Sequence, residues 1–206
     1  MAGETYMGNI INFYGRQKKV MDMCKILRKI HNKTADQLLK KYGVYNTLPI
    51  DLEKLAIGIG ISVLPADFSE IEKKLDKKDI LGMVRTDGDN AAIFYKQDTT
   101  ENRLRFTVAH ELAHCCHIDP DNCKTPHIEY RIDENKKDET EKQMDIFAGE
   151  LLMPLHKIKE VYMSLPVPSA VTMAKLFKVS VSVMEARLNY LKISHFNRKG
   201  EPVAYE

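Results

Sequence analysis

The sequence predicts an α+β fold on three observations: helical periodicity at both ends, β candidates gathered in the middle around a hairpin signal, and two helices resuming after them. Residues 16 to 43 read as helical, with Val20, Met23, Cys24, Leu27 and Ile30 recurring at three and four, and Leu38 and Leu39 continuing after Thr34. Pro49-Ile50-Asp51 opens a short helix, DLEKLAIGIG, which Gly58 and Gly60 end. Three β candidates follow: ISVLPADF, ILGMVRTDG and NAAIFYKQ. The second and third are joined by Asp87-Gly88-Asp89-Asn90, a strong hairpin signal. Residues 102–117 and 139–153 read as helices, separated by a polar loop of about twenty residues, a length that is usually functional or mobile. Pro154, Pro166 and Pro168 punctuate what comes next, and the tail from Ser169 to Leu191 reads as two short helices around Lys178-Val179-Ser180. The expected organisation is an N-terminal helical segment (1–45), a core (46–165) and a helical appendage (166–206).

A chain of 206 residues fits one domain, with or without a small appendage, and its 44% hydrophobic and 29% charged content belongs to a soluble globular protein. No apolar run approaches the ~20 residues of a membrane helix, and the first residues lack the basic and apolar regions of a secretory signal. The expected compartment is the cytoplasm, with no membrane partner. The net charge of +2 gives no global drive toward nucleic acid. Charge is unevenly placed, however: Leu155 to Lys199 carries eight Lys or Arg against Glu160 and Glu185. Cys24, Cys115, Cys116 and Cys123 contain no CxxC pair, so reduced thiols are expected rather than a disulfide framework or a zinc ribbon.

The chemistry concentrates in His110-Glu111-Leu112-Ala113-His114. Two histidines four apart on a helix share a face, about 6 Å apart along the axis, so both imidazoles can converge on one ion. Glu111, beside the first histidine, is placed to take a proton from an attacking water and pass it to a leaving amine. In the second helix Met144, Ala148, Leu151 and Leu152 form the apolar stripe, and Glu141 lies on the same side. A carboxylate there is costly without a partner, and a divalent cation would supply one. Glu141 as a solvated residue at a helix start is the bland alternative. Asp145, one turn on, can accept the free imidazole N–H of a ligand histidine. His110, His114 and Glu141 are therefore the expected metal ligands, Glu111 the catalytic base and Asp145 the orienting carboxylate. Two imidazoles and one carboxylate favour Zn2+, with another divalent ion such as Mn2+ as the alternative. His117 shares the histidine face but reads as a neighbouring polar group, and His127 has no supporting pattern.

These segments resemble the ImmA/IrrE metallopeptidases: Arg105-Phe106-Thr107-Val108-Ala109 running into His110–His114, then Glu141 to Pro154 with Phe147-Ala148 and Glu150-Leu151-Leu152-Met153-Pro154. Weaker flanks are Leu48–Asp51 with Leu55-Ala56 and Gly60-Ile61, and Ala174–Ser180 with Arg187-Leu188 and Leu191. The similarity spans roughly residues 34–193. It implies a zincin-like fold, with a small sheet packed on the active-site helix, and cleavage of a helix-turn-helix repressor encoded nearby on a phage or integrative element. It also matches His110, His114 and Glu141 to the ligands and Glu111 to the catalytic glutamate. Ala113 stands where a glycine is common and Met144 where an alanine is common, both at packing positions.

Asn90 to Tyr95 is expected to be an edge on which an extended substrate pairs, and Tyr95, Tyr130 and His127 are candidate donors to the oxyanion. The rival reading is a DNA-binding regulator. Ser182-x-x-Glu185 resembles a capping box, so the tail could be a helix-turn-helix with Lys175, Lys178, Arg187 and Lys192 facing phosphates. The apolar face of Val171, Ala174, Leu176, Phe177, Val183, Leu188 and Leu191 is needed for packing in either case. So few basic residues make direct nucleic-acid binding a minor expectation. A peptidase-like toxin with a repressor partner is a third reading, and the neighbouring gene is the discriminating observation.

Overall fold

A computed structural model describes residues 25–76, 79–87, 90–121, 127–132 and 139–205. The first helical stretch is two short helices, α1 (Lys25–Ile30) and α2 (Ala35–Lys41). They are divided where Thr34 caps α2 in a reciprocal box with Gln37. Residues 16–24 of that expected helix lie outside the described residues. Helix α3 (Leu52–Ile59) starts on Asp51, whose carboxylate accepts from Lys54 N, and ends on Gly60 at φ 96°, a left-handed stop that glycine adopts without strain.

The three β candidates become β1 (Ile61–Ala66), β2 (Ile80–Asp87) and β3 (Asn90–Lys96), with helix α4 (Ser69–Leu75) between the first two. The helix that carries the His110–His114 motif is α5 (Glu101–His117), capped by Thr100. The long polar stretch contains a strand that sequence reading took as loop, β4 (His127–Ile132). The sheet order is β1-β3-β2-β4. β1 runs parallel to β3, and β2 runs antiparallel to both β3 and β4. This corrects the expected substrate edge: β3, the 90–95 segment, is interior, and the described edges are β1 and β4. On β1, Ala66 O accepts from Gln97 N at 3.0 Å, so the backbone groups of Pro65 turn the other way, toward the open edge.

Alternation along β2 and β3 gives the sheet two packed faces. Val84, Ala91 and Ile93 join the main core with Val108 and Leu112, while Met83, Ala92 and Phe94 pack with Ala66 and Phe68 on the other side. Every residue of α5 from Thr107 to Cys116 is buried, so this helix runs through the middle of the molecule. The main cluster extends from Leu27 at one end to Leu188 at the other.

Helix α6 (Glu139–Leu152) packs along α5, and Pro154 caps a further helix, α7 (Leu155–Ser164), in the stretch that its prolines seemed only to break. The tail forms α8 (Ala170–Phe177) and α9 (Val181–Tyr190), followed by a small hairpin of β5 (His195–Phe196) and β6 (Pro202–Val203) that sequence reading missed. Ser180, not Ser182, caps α9, because left-handed Lys178 ends α8 and sets the next helix's start; Glu185 binds Arg198 of the hairpin instead of closing a capping box. Leu176 is 41% exposed, and Met173 holds the packing position expected of it. Arg187 is buried, not phosphate-facing: its Nε donates to Met153 O at 3.3 Å and its guanidinium lies 3.7 Å from Glu150. The turn between α8 and α9 docks on the start of α5 through Arg105 Nε to Lys178 O (3.2 Å), Asn102 Nδ2 to Val179 O (3.2 Å) and Lys178 Nζ to Glu101 (2.9 Å). Arg187→Met should lower the unfolding free energy in urea titrations by about 1–3 kcal/mol, the cost of stranding the buried Met153 carbonyl. An unchanged midpoint would show that this contact contributes nothing to holding the tail.

Candidate metal centre

Helix α5 presents two faces within one turn. His110 and His114 face α6, where Glu141 and Asp145 stand one turn apart. Thr107 and Glu111 face β2, at Gly82. His110 is fully buried and Glu141 30% exposed, so the cluster opens to solvent on the Glu141 side.

Glu141 Oε2 lies 3.1 Å from His110 Nε2, Glu141 Oε1 lies 3.2 Å from His114 Nε2, and the two Nε2 atoms are 3.1 Å apart. Behind this triangle, Asp145 Oδ1 lies 2.9 Å from His110 Nδ1. An ionised carboxylate only accepts, so Nδ1 donates to Asp145 and Nε2 is the atom that His110 turns to the triangle. Two imidazole nitrogens and a carboxylate then face one another, a donor set that suits a divalent cation between them. Ligand atoms at tetrahedral corners about 2.0–2.1 Å from a zinc ion are about 3.3 Å apart, close to the observed edges. The residues fit a divalent ion: His110, His114 and Glu141 could hold it.

Contact with His110, foremost as hydrogen-bond partner, holds the Glu141 carboxyl below its ordinary range; burial opposes this, the charges of His110 and His114 add to it, and Asp145 pushes back. The carboxyl of Glu141 is therefore ionised at neutral pH. His117 turns away: Nδ1 donates to Ala113 O at 2.8 Å and the ring meets Phe147 edge-on. Tyr95 lies in a groove of about 1010 Å³ beside β1, with Leu104 and Val108. His127 and Tyr130 belong to β4, but their side chains are outside the described residues. A second groove, of about 840 Å³, runs from Asp145 past Leu81, Phe106 and Ile146 to Val183 and Tyr190 of α9. Sequence reading missed Gly82, whose only signal is a glycine inside a strand.

A buried HExxH helix on a small mixed sheet, its histidines meeting a glutamate from the next helix, defines a metallopeptidase-type centre. Residues 58–189 match the family described as the IrrE N-terminal-like domain, a peptidase family, and the chain belongs to it. No curated protein matches the chain. Among the described residues, no helix is long and apolar enough to cross a membrane.

Asp145→Ala should weaken zinc affinity about 10–100-fold in a competition titration while leaving the fold intact, because it removes only the group that fixes the His110 tautomer. Glu141→Ala should lose stoichiometric metal altogether. Unchanged affinity in the Asp145 variant would mean that the 2.9 Å contact does not orient the ligand.

Proposed function

We propose that this protein is a cytoplasmic zinc-dependent endopeptidase that cleaves a helix-turn-helix repressor of a phage or mobile element. The observation that supports it most is the convergence of His110, His114 and Glu141, with Asp145 bonded behind His110. His110, His114 and Glu141 would hold the ion, whose chemistry there would be to polarise a carbonyl and to bring water to a pKa of about 7. Glu111 takes the proton of the attacking water and delivers it to the leaving amine. Asp145 keeps His110 in the tautomer that binds metal, and Glu141 supplies the negative charge.

The sheet edge for an extended substrate is β4, bonded to β2 on one side only among the described strands. The groove from Asp145 to α9 gives apolar substrate side chains a place to lie and makes the tail one of its walls. DNA recognition is the weaker reading of that tail. Lys178 pairs with Glu101 and Arg187 is buried, leaving Lys175 and Lys192 of the four basic residues considered for phosphate contact.

The test is cleavage of the helix-turn-helix repressor encoded beside this gene. Wild type should cut it, whereas Glu111→Gln should keep its zinc and lose at least about 10³-fold in turnover, the scale of a lost general base. A Glu111→Gln protein that loses its zinc would show that the roles are misassigned. Growth arrest on expressing the wild type alone would favour the toxin form of the same chemistry.

A further inference from the structure

Gly82 lies inside β2, where glycine weakens a strand, and its φ is not one of the positive values that call for glycine. Space is the reason for it. A Cβ at this position would sit 2.6 Å from Thr107 Cγ2, 2.7 Å from Glu111 Oε1 and 3.2 Å from Glu111 Cδ. Real Cβ contacts essentially never fall below 3.0 Å, so one of these groups would have to move. Neither has easy room: Thr107 is 1% exposed and Glu111 0%. The β2–β4 register also shifts between Ile80 and Gly82, a bulge of the kind that re-aims a strand beside a site. At Gly82 the space a side chain would take is thus filled by the Thr107 methyl and the carboxylate of Glu111.

We infer that Gly82 is a positioning residue: the missing side chain sets how close Glu111 stands to β2 and so where the base carboxylate is held. This rests on the reading of Glu111 as the base. The opposing explanation is that Gly82 only lets Thr107 pack against the sheet.

The two are separated by a double-mutant cycle on the zinc-loaded full chain, with acetohydroxamic acid as probe. A hydroxamate gives up its proton on binding zinc, and a correctly placed carboxylate takes that proton, so its affinity reports the base without a known substrate. Gly82→Ala should keep full zinc occupancy and weaken acetohydroxamate about 10–100-fold, the usual cost of displacing a reacting group by about 1 Å. In the Glu111→Gln background the same change should alter affinity by less than about twofold, because the proton acceptor is already gone. Wild-type affinity in Gly82→Ala, beside a weakened Glu111→Gln, would overturn the inference alone. An equal loss in both backgrounds would also overturn it, making Gly82 a packing residue. Wild-type affinity in Glu111→Gln itself would remove the base reading and the inference together. Should Gly82→Ala fail to fold, Gly82→Ala/Thr107→Ser removes the clashing methyl and enters the same cycle; tight hydroxamate binding in that double variant overturns the proposal and weak binding supports it.

Discussion

The constraint on which the rest of the structure depends is the burial of polar side chains in the middle of α5. His110 and Glu111 are fully enclosed and His114 nearly so, on a helix that is covered on every side. A buried imidazole or carboxylate destabilises a fold by several kcal/mol unless it is partnered, about 2–7 kcal/mol for a neutral polar group. The histidines therefore require an element that brings oxygen atoms to them, and α6 does so with Glu141 and Asp145. Glu111 points to the opposite neighbour and requires a strand that leaves room for it. The two packings of α5, against helix and against sheet, are thus set by chemistry as much as by apolar contact.

The tail is built into the same arrangement. Arg105 of α5 donates to Ile50 O at 2.9 Å and to Lys178 O at 3.2 Å, so one guanidinium ties α5 both to the start of α3 and to the turn before α9. Burial draws Arg105 below its ordinary pKa, while Glu101 and Asp51 act against that fall. Such a clasp at the N-terminal end of α5 fixes the helix along its axis, and the sideways contacts at His110 and Gly82 fix its rotation. The groove walled by α9 keeps a constant relation to His110, His114 and Glu141 for that reason.

Much of this was legible in the sequence because it follows from helical spacing. Histidines at i and i+4, and Glu141 and Asp145 at the same spacing, must share faces whatever else the chain does. Capping was legible where a single residue competed for the role, as with Asp51, and misread where Ser180 and Ser182 both could. The distinction there lay in Lys178 taking a left-handed conformation, which its side chain does not advertise. β4 carried a signal that polarity concealed: Ile128, Tyr130 and Ile132 alternate with His127, Glu129 and Arg131 at period two. The interior place of β3 could not be inferred locally. It depends on β1, nearly thirty residues earlier, crossing over to pair in parallel, and no adjacent residue records that choice. Arg187 looked like a surface cation because composition says nothing of a distant carbonyl waiting for it.

Pro65 has a consequence for how the molecule behaves in a crowded solution. The outer margin of β1 offers backbone groups to any passing chain, yet at Pro65, opposite Tyr95, there is no N–H to give. A neighbouring copy that began to extend the sheet there would find a rung absent and lose the regular ladder on which edge-to-edge stacking depends. β1 is therefore blunted against self-association, whereas β4, the other edge among the described strands, has no proline in its six residues. The missing rung thus makes one margin of the sheet a poor template for a second copy of the same strand.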